Sequence, residues 1–155
     1  GVLLNNEMDD FALKPGTPNA FGVMGYDANA PKPGKRMLSS MTPTFMESPE
    51  RVAVLGTPGG SRIITMVLLG MLGYDAGLEA QQVAALPRFH HQWQPDELRI
   101  ERTVPETVRR ALESRGHKLK VLDSIGSAQA VALDAGMKRL VGVPDPRGEG
   151  KAAGF

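Results

Sequence analysis

Two neighbouring carboxylates near the start of the chain have the residue type needed to bind a cation. Asp9 and Asp10 follow two asparagines within segment 4–11. One carboxylate can face a ligand ammonium while the other caps the following turn. Local turn chemistry also explains Asn and Asp at such positions. Glu7 adds a third carboxylate, which either helps to hold the ammonium or is an exposed strand residue.

A pair of hydroxyls, Ser39 and Ser40, lies just before a predicted strand. Paired hydroxyls can donate hydrogen bonds to a ligand carboxylate without adding charge. They can also bond to their own backbone, which is the more common arrangement. A serine nucleophile would need a nearby base, and the spacing along the chain indicates no such partner.

The glycine pair Gly59 and Gly60 follows Pro58 and precedes a predicted helix. Glycines let backbone N–H groups approach a ligand oxygen closely, and a helix start adds positive potential. Such amides can stabilise a developing oxyanion. The alternative is a tight strand-to-helix turn that needs glycine only for its dihedral angles. A nucleotide loop is excluded because its Lys-Ser/Thr ending is absent.

The histidines do not form a metal-binding pattern. His90 and His91 are adjacent, so they cannot share one helical face, and His117 is remote in the sequence. We therefore predict no metal site and no cofactor, with the imidazoles of segment 87–93 packed and hydrogen-bonded. The chain has no cysteine, which excludes disulfides, thiolate chemistry and cysteine–zinc sites.

Composition is that of an ordinary globular domain. The 155 residues are 41% hydrophobic and 23% charged, which favours one domain over residues 1–155. The net charge of +1 provides no basic surface for nucleic acid or a membrane. No signal-peptide pattern is found at Gly1, and the apolar run 63–72 is too short to span a bilayer.

Grouped strands with helices between the groups predict an α+β domain. Strands are predicted at 42–46, 51–55, 98–101 and 118–121, with a hairpin of 128–133 and 138–143. Helices are predicted at 63–72, 78–86 and from Pro105 to Gly116. The uniformly apolar helix 63–72 is expected to be the buried core, so that Leu68→Asp would unfold the chain. Residues 12–36 are predicted to form a long loop, either a lid or a connector.

These segments resemble the small subunit of the γ-glutamyltranspeptidases, in the same order. The similar stretches are 4–11, 35–43, 56–65, 87–101, 145–147 and the final pair Gly154 and Phe155. The resemblance implies the N-terminal-nucleophile hydrolase fold, an αββα sandwich. It also implies γ-glutamyl amides such as glutathione as substrates. In that family the N-terminal threonine of the small subunit attacks the amide, with its own α-amine as the base.

The resemblance also implies roles for individual residues. Asp10 matches the carboxylate that holds the substrate ammonium, and Glu7 matches a helper in that contact. Ser39 and Ser40 match the hydroxyls that bind the substrate carboxylate.

Two further elements of the family site match this sequence. Gly59 and Gly60 match the backbone amides of the oxyanion hole. Segment 15–25, from Pro15 to Gly25, matches the lid loop over the γ-glutamyl pocket, and Phe21 falls near its gating aromatic.

The sequence departs from the family at its start. In the family the threonine precedes the segment that begins at Asn5 by several dozen residues, whereas here only four residues precede it. The family's large subunit, which supplies an arginine for the substrate carboxylate, is also absent from the sequence. We therefore expect a domain truncated at its N-terminus, a pseudoenzyme that is inactive alone.

Two alternatives stay open beside the inactive fragment. The chain could be a non-catalytic module that binds glutamate or γ-glutamyl compounds, weakly if at all, or one piece of a complete heterodimeric enzyme. The missing family segments would leave sheet edges and apolar faces uncovered, which predicts self-association as a homo-oligomer or pairing with a large subunit. The resemblance further implies a periplasmic or extracellular location.

Overall fold

The computed structural model describes residues 1–2, 4–134 and 139–154 of the chain. Seven strands and three α-helices are found among these residues, together with two short 3-10 helices. The strands are β1 Thr44–Glu47, β2 Arg51–Gly56, β3 Phe89–His90, β4 Leu98–Glu101, β5 Leu119–Leu122, β6 Gln129–Asp134 and β7 Arg139–Val143. The helices are α1 Arg62–Asp75, α2 Ala80–Ala85 and α3 Glu106–Ser114, and the 3-10 helices are Glu7–Asp10 and Asp27–Asn29.

The main sheet has four antiparallel strands in the order β1-β2-β6-β7. β1 and β2 form a hairpin closed by the Ser48 amide, which donates to the Arg51 carbonyl at 2.8 Å. β6 returns to pair with β2, placing Leu55 opposite Ala130. The predicted hairpin of β6 and β7 is confirmed, while its turn at 135–137 lies outside the described residues.

Helix α1 packs against this sheet and forms the core with it. Ile63 and Val67 of α1 join Leu55, Ala128 and Ala130 in one buried apolar cluster. The helix approaches closely because it presents glycine to the sheet. A Cβ atom at Gly70 would lie 2.1 Å from Leu55 Cδ2. The close packing of α1 on β2 therefore requires a residue without a side chain at position 70.

The prediction of a fully buried helix is wrong for α1. The helix continues past Gly73 to Asp75, and only one of its faces is buried. The opposite face is also apolar but open, with Ile64, Leu68 and Leu72 each at least half exposed. A uniformly apolar run carries no periodicity that separates a two-sided from a one-sided environment. Because Leu68 is 50% exposed, the expectation that Leu68→Asp unfolds the chain loses its basis.

A second, three-stranded sheet has the order β3-β4-β5. β3 and β4 pair antiparallel, and β4 and β5 pair parallel across the crossover helix α3. Pro105 is the N-cap of α3 rather than its first residue. Helix α2 is shorter than predicted and begins with a capping box, in which the Glu79 amide donates to Gln82 Oε1 at 2.9 Å. The predicted α+β class is confirmed.

The predicted long loop folds back on itself. Pro18 and Met24 form an isolated β-bridge, and the Gly16 amide donates to the Gly25 carbonyl at 2.7 Å. These contacts close segment 15–25, called the lid loop below, into a compact unit. Within the described residues, no helix has both the length and the apolar character needed to cross a membrane.

Candidate functional site

A cavity of about 390 Å³ lies between the lid loop, the 3-10 helix Glu7–Asp10 and the start of α1. Its wall includes six of the residues singled out in the sequence: Asp9, Asp10, Phe21, Gly25, Ser40 and Gly60. These residues come from four separate segments of the chain. The structure therefore brings the core of the predicted constellation together. The remaining candidates, Glu7, Pro15, Ser39 and Gly59, do not line the cavity.

The two neighbouring aspartates have different surroundings. The Asp10 backbone carbonyl accepts from Asn29 Nδ2 at 2.7 Å, which anchors the residue. Its carboxylate makes no hydrogen bond or ion pair with any residue that the structure describes. Asp9 instead accepts from the Ala20 amide through Oδ2 at 3.3 Å and from Asn19 Nδ2 through its carbonyl at 3.2 Å. Asp9 thus holds the lid loop, rather than the following turn, and Asp10 is open to a ligand.

The two serines also differ. Ser40 lines the cavity, and within the described part of the chain its hydroxyl has no hydrogen-bond partner. Ser39 Oγ accepts from the Met41 amide at 3.2 Å, which is the local backbone bonding weighed above. A hydroxyl that accepts one bond keeps its proton to donate. The Ser39 hydroxyl therefore accepts one hydrogen bond and can still donate one.

The glycine turn between β2 and α1 is shaped by backbone geometry. Gly59 and Gly60 have φ angles of 138° and 57°, both in the region that favours glycine. A Cβ atom at Gly60 would lie 2.4 Å from Phe21 Cγ, so the ring of Phe21 rests directly on this backbone. Among the described residues, the N–H groups of Gly59 and Gly60 have no acceptor. Two amides at a helix start are thus available to an anionic oxygen.

The histidine motif is hydrogen-bonded rather than arranged for a metal. His90 Nδ1 lies 2.9 Å from Thr65 Oγ1, and His90 Nε2 lies 2.8 Å from Gln92 Oε1. His91 Nε2 lies 3.2 Å from Asp96 Oδ1. Burial lowers the pKa of His90, against the opposing effect of the bond to Gln92. The expectation that the imidazoles are hydrogen-bonded is confirmed, whereas packing holds for the buried His90 and not for the exposed His91.

A buried ionic cluster lies apart from the cavity and was missed by sequence reasoning. Its members are Arg88, Glu101, Asp145 and Arg147. Arg88 pairs with Asp145, with both side chains at most 4% exposed. Arg147 pairs with Glu101 and with Asp145 at 2.6 and 3.2 Å. The motif at 145–147 was noticed only through the resemblance, because no local spacing connects it with Glu101.

The pKa values of the two buried carboxylates are set by their partners. Burial alone would raise the pKa of Glu101, but hydrogen bonds from Arg147 and from the Ile125 and Arg88 amides outweigh it and lower that pKa. The pKa of Asp145 is lowered in the same way. Both groups are therefore ionised parts of the folded structure.

The same arrangement of sheets and helices is found in solved structures of enzymes. A Helicobacter pylori γ-glutamyltranspeptidase T380A mutant superposes with a TM-score of 0.86 at 43% identity, covering 96% of this chain and 82% of that one. The Pseudomonas nitroreducens γ-glutamyltranspeptidase complexed with L-DON gives 0.86 and 43%, covering 100% and 82%. The chain thus has the N-terminal-nucleophile hydrolase fold.

The sequence comparisons agree with the structural ones. The family model for gamma-glutamyltranspeptidase matches residues 1–155. The glutathione hydrolase proenzyme of Escherichia coli (strain K12) is 46% identical over 149 residues, which is 95% of this chain and 26% of that protein. The chain belongs to the γ-glutamyltranspeptidase family, as the resemblance implied. It spans about a quarter of the length of that relative.

Proposed function

We propose that this chain forms the glutamyl-binding part of a γ-glutamyltranspeptidase. The observation that carries the proposal is the convergence of Asp10, Ser40 and Gly60 on one cavity beneath Phe21. These groups offer one carboxylate and one hydroxyl that bond to no residue the structure describes, together with the backbone amide of Gly60. That set is complementary to a small zwitterion with an ammonium, a carboxylate and a reacting carbonyl.

Each group of the cavity has a defined role in this proposal. Asp10 binds the ligand ammonium, with Glu7 close by in sequence and exposed as a helper. Ser40 donates its hydroxyl proton to the ligand carboxylate, and Ser39 can add a second donor. Gly59 and Gly60 present N–H groups to the oxyanion that forms when the γ-carbonyl is attacked. The lid loop from Pro15 to Gly25 covers the γ-glutamyl group.

The isolated 155 residues are proposed to bind without turning over. The family reaction needs a threonine that acts with its own α-amine, and the resemblance assigns this role to none of the 155 residues. A nucleophile and its base act as a unit, so their absence removes most of the rate acceleration. The chain would then work either as a binding module or as one piece of a heterodimeric enzyme.

Turnover is tested with γ-glutamyl-p-nitroanilide in the presence of glycylglycine, using protein of verified intact mass. We expect no release of p-nitroaniline from the 155-residue chain. Release that copurifies with the chain would contradict the proposed inactivity. Mass spectrometry of the active fraction would then show whether a second chain with a threonine N-terminus is present.

Binding is tested by calorimetry with L-glutamate. We expect weak binding that is lost in Asp10→Ala and kept in Glu113→Ala. The control removes the same charge from an exposed position on α3. Equal heat in all three proteins, or none in the unmodified chain, would contradict the proposed glutamyl site.

The open face of α1 supports a second proposal, that the chain self-associates or pairs with a large subunit. Ile64, Leu68, Met71 and Leu72 expose between 41% and 57% of their surface on this face. Contiguous apolar surface of this kind usually contacts another protein. Light scattering tests self-association, and a strictly monomeric mass at working concentration would contradict it.

A further inference from the structure

The side-chain amide of Gln92 connects three segments around the candidate site. Its Nε2 donates to the carbonyls of Phe21 and Gln94 at 3.2 and 3.0 Å. Its Oε1 accepts from Ser61 Oγ at 2.6 Å and lies 2.8 Å from His90 Nε2. The amide therefore uses both of its donors and both of its acceptor sites.

This set of partners leaves only one orientation of the Gln92 amide. Two carbonyl oxygens can only accept, so the NH₂ group must face Phe21 and Gln94. Oε1 then faces His90 and must receive a proton from it. His90 Nε2 therefore carries a hydrogen. Because burial lowers the pKa of His90, the ring is neutral, and Nδ1 accepts from the Thr65 hydroxyl.

The backbone on both sides is shaped to accommodate this amide. Gly22 has a φ of 75°, and a Cβ atom there would lie 3.2 Å from Gln92 Nε2. On the other side, Trp93 has a φ of 71°, a conformation that costs free energy for a residue with a side chain. The turn is held by the Gln94 amide, which donates to the Gln92 carbonyl at 2.8 Å. Such strain persists only where surrounding contacts fix it.

Two of the segments that Gln92 connects, the lid loop and the start of α1, meet at the glycine turn. Phe21 carries the ring that rests on Gly60, and Ser61 directly follows Gly60. Gln92 itself does not line the cavity. Gln92 instead contacts two residues that do line the cavity, Phe21 and Ser61.

We propose that Gln92 is a positioning residue that holds the lid loop closed and keeps Phe21 seated on the Gly60 turn. The inference deepens the proposed function and rests on it, because the lid loop and the glycine turn are the parts that would enclose a γ-glutamyl ligand. The hydrogen bonds themselves are tested without any ligand.

The first test is backbone hydrogen exchange of the 155-residue chain carrying Gln92→Met. Methionine has a similar length but no hydrogen-bonding group. Gln94→Met is the matched control, since the Gln94 side chain is exposed and bonds to no described residue. We expect exchange of the Phe21 to Val23 amides to rise by about tenfold in Gln92→Met, the size of one lost hydrogen bond. Strand β2 and the control should keep the unmodified rates.

The second test reads the tautomer of His90 by long-range ¹H–¹⁵N NMR spectra. The unmodified chain should show a neutral His90 protonated on Nε2, whereas Gln92→Met removes the acceptor and should give a mixture of tautomers. A residue that only filled space would leave this signature unchanged. Ser61→Ala provides a milder variant that removes one donor to Gln92 Oε1, with a smaller rise in lid exchange expected.

The outcomes are decisive in both directions. Faster exchange confined to the lid loop, together with the altered His90 spectrum, supports the proposal. Unchanged lid exchange in a folded Gln92→Met protein overturns it. If Gln92→Met fails to fold, unchanged lid exchange in Ser61→Ala overturns it equally. Absence of glutamate binding to the unmodified chain would contradict the proposed function and leave these results standing.

Discussion

Asp10 and Asp145 are both carboxylates of family motifs, yet their surroundings are opposite. Asp145 is buried and accepts from the Arg88 guanidinium and the Ala128 amide through Oδ2, and from the Arg147 amide through Oδ1. Asp10 lies at a cavity wall, and its carboxylate contacts no donor within the described residues. A carboxylate whose oxygens are all engaged inside the fold stabilises it. One left open beside a cavity can bind a ligand.

Glu101 belongs with Asp145 to the buried ionic cluster of Arg88, Glu101, Asp145 and Arg147, called the closed region below. Both of its oxygens are bonded at 2.6 Å to Arg147, and they also accept from the Ile125 and Arg88 amides at 2.8 and 3.0 Å. Arg88 and Arg147 in turn donate to the Ala84 carbonyl at 3.0 Å. This cluster ties α2, β4 and the chain after β7 into one unit. Among the residues that the structure describes, the cavity region has no comparable set of internal charge pairs.

The largest expected effect separates the two regions by stability. Asp145→Ala removes the carboxylate that pairs with the buried Arg88 guanidinium, and breaking such a pair costs roughly 3–5 kcal/mol. Urea unfolding followed by circular dichroism should show this loss. Asp123→Ala is the matched control because its pair with Arg102 is exposed, and it should leave the midpoint nearly unchanged. Equal midpoints for the two variants would contradict the distinction.

Acid should weaken the closed region first. The folded-state pKa values of Glu101 and Asp145 lie below their ordinary values of 4.5 and 3.8. A lowered pKa contributes stability that is full above the unfolded value and is lost as the pH falls through the folded value. The contribution of these two carboxylates should therefore be level from neutral pH down to about 4.5 and decline below it, whereas the lowered pKa of His90 makes stability begin to fall below about pH 6.5. A maximum of stability below that range would contradict the assignment.

The exposed face of α1 should tolerate a charge that its buried face cannot. Leu68→Asp is expected to cost about 1 kcal/mol or less, because Leu68 is half exposed. Val67→Asp, one residue away and 4% exposed, should prevent folding. Thermal melts of the two proteins measure the contrast. Leu68→Asp should also reduce any self-association, which light scattering would detect.

The smallest expected effect on stability belongs to Asp10. Because its carboxylate bonds to no described residue, Asp10→Ala should change the free energy of unfolding by less than about 0.5 kcal/mol. Urea unfolding provides the measurement, alongside the calorimetry proposed above. A loss as large as that of Asp145→Ala would place Asp10 in the closed region and remove the reason to regard it as a ligand group.

The sequence predicted those features that local spacing determines. Alternating apolar residues located β4 and β5, Pro105 and Gly116 bracketed α3, and Gly59 with Gly60 marked the turn before α1. Asp10, Ser40 and Gly60 were identified individually, but only the fold shows that they share a cavity. The resemblance supplied their proposed roles.

Other features depend on contacts between residues that are distant along the chain. Nothing near Glu101 in the sequence indicates that Arg147 will pair with it. Nothing near Gln92 indicates that its side chain will donate a hydrogen bond to the Phe21 carbonyl. The exposed side of α1 was misjudged because hydropathy does not report which apolar side chains find a partner. Long-range pairing decides these cases, and a single sequence contains no direct record of it.

The parallel pairing of β4 and β5 across α3 has a consequence for the order of folding. All of its contacts close a short stretch of chain, from Leu98 to Leu122. The pairing of β2 with β6 instead requires segments that are far apart in sequence to meet, which is a slower search. We therefore expect the β4-α3-β5 unit to assemble early and to present Glu101 as the carboxylate to which Arg88 and Arg147 later bond.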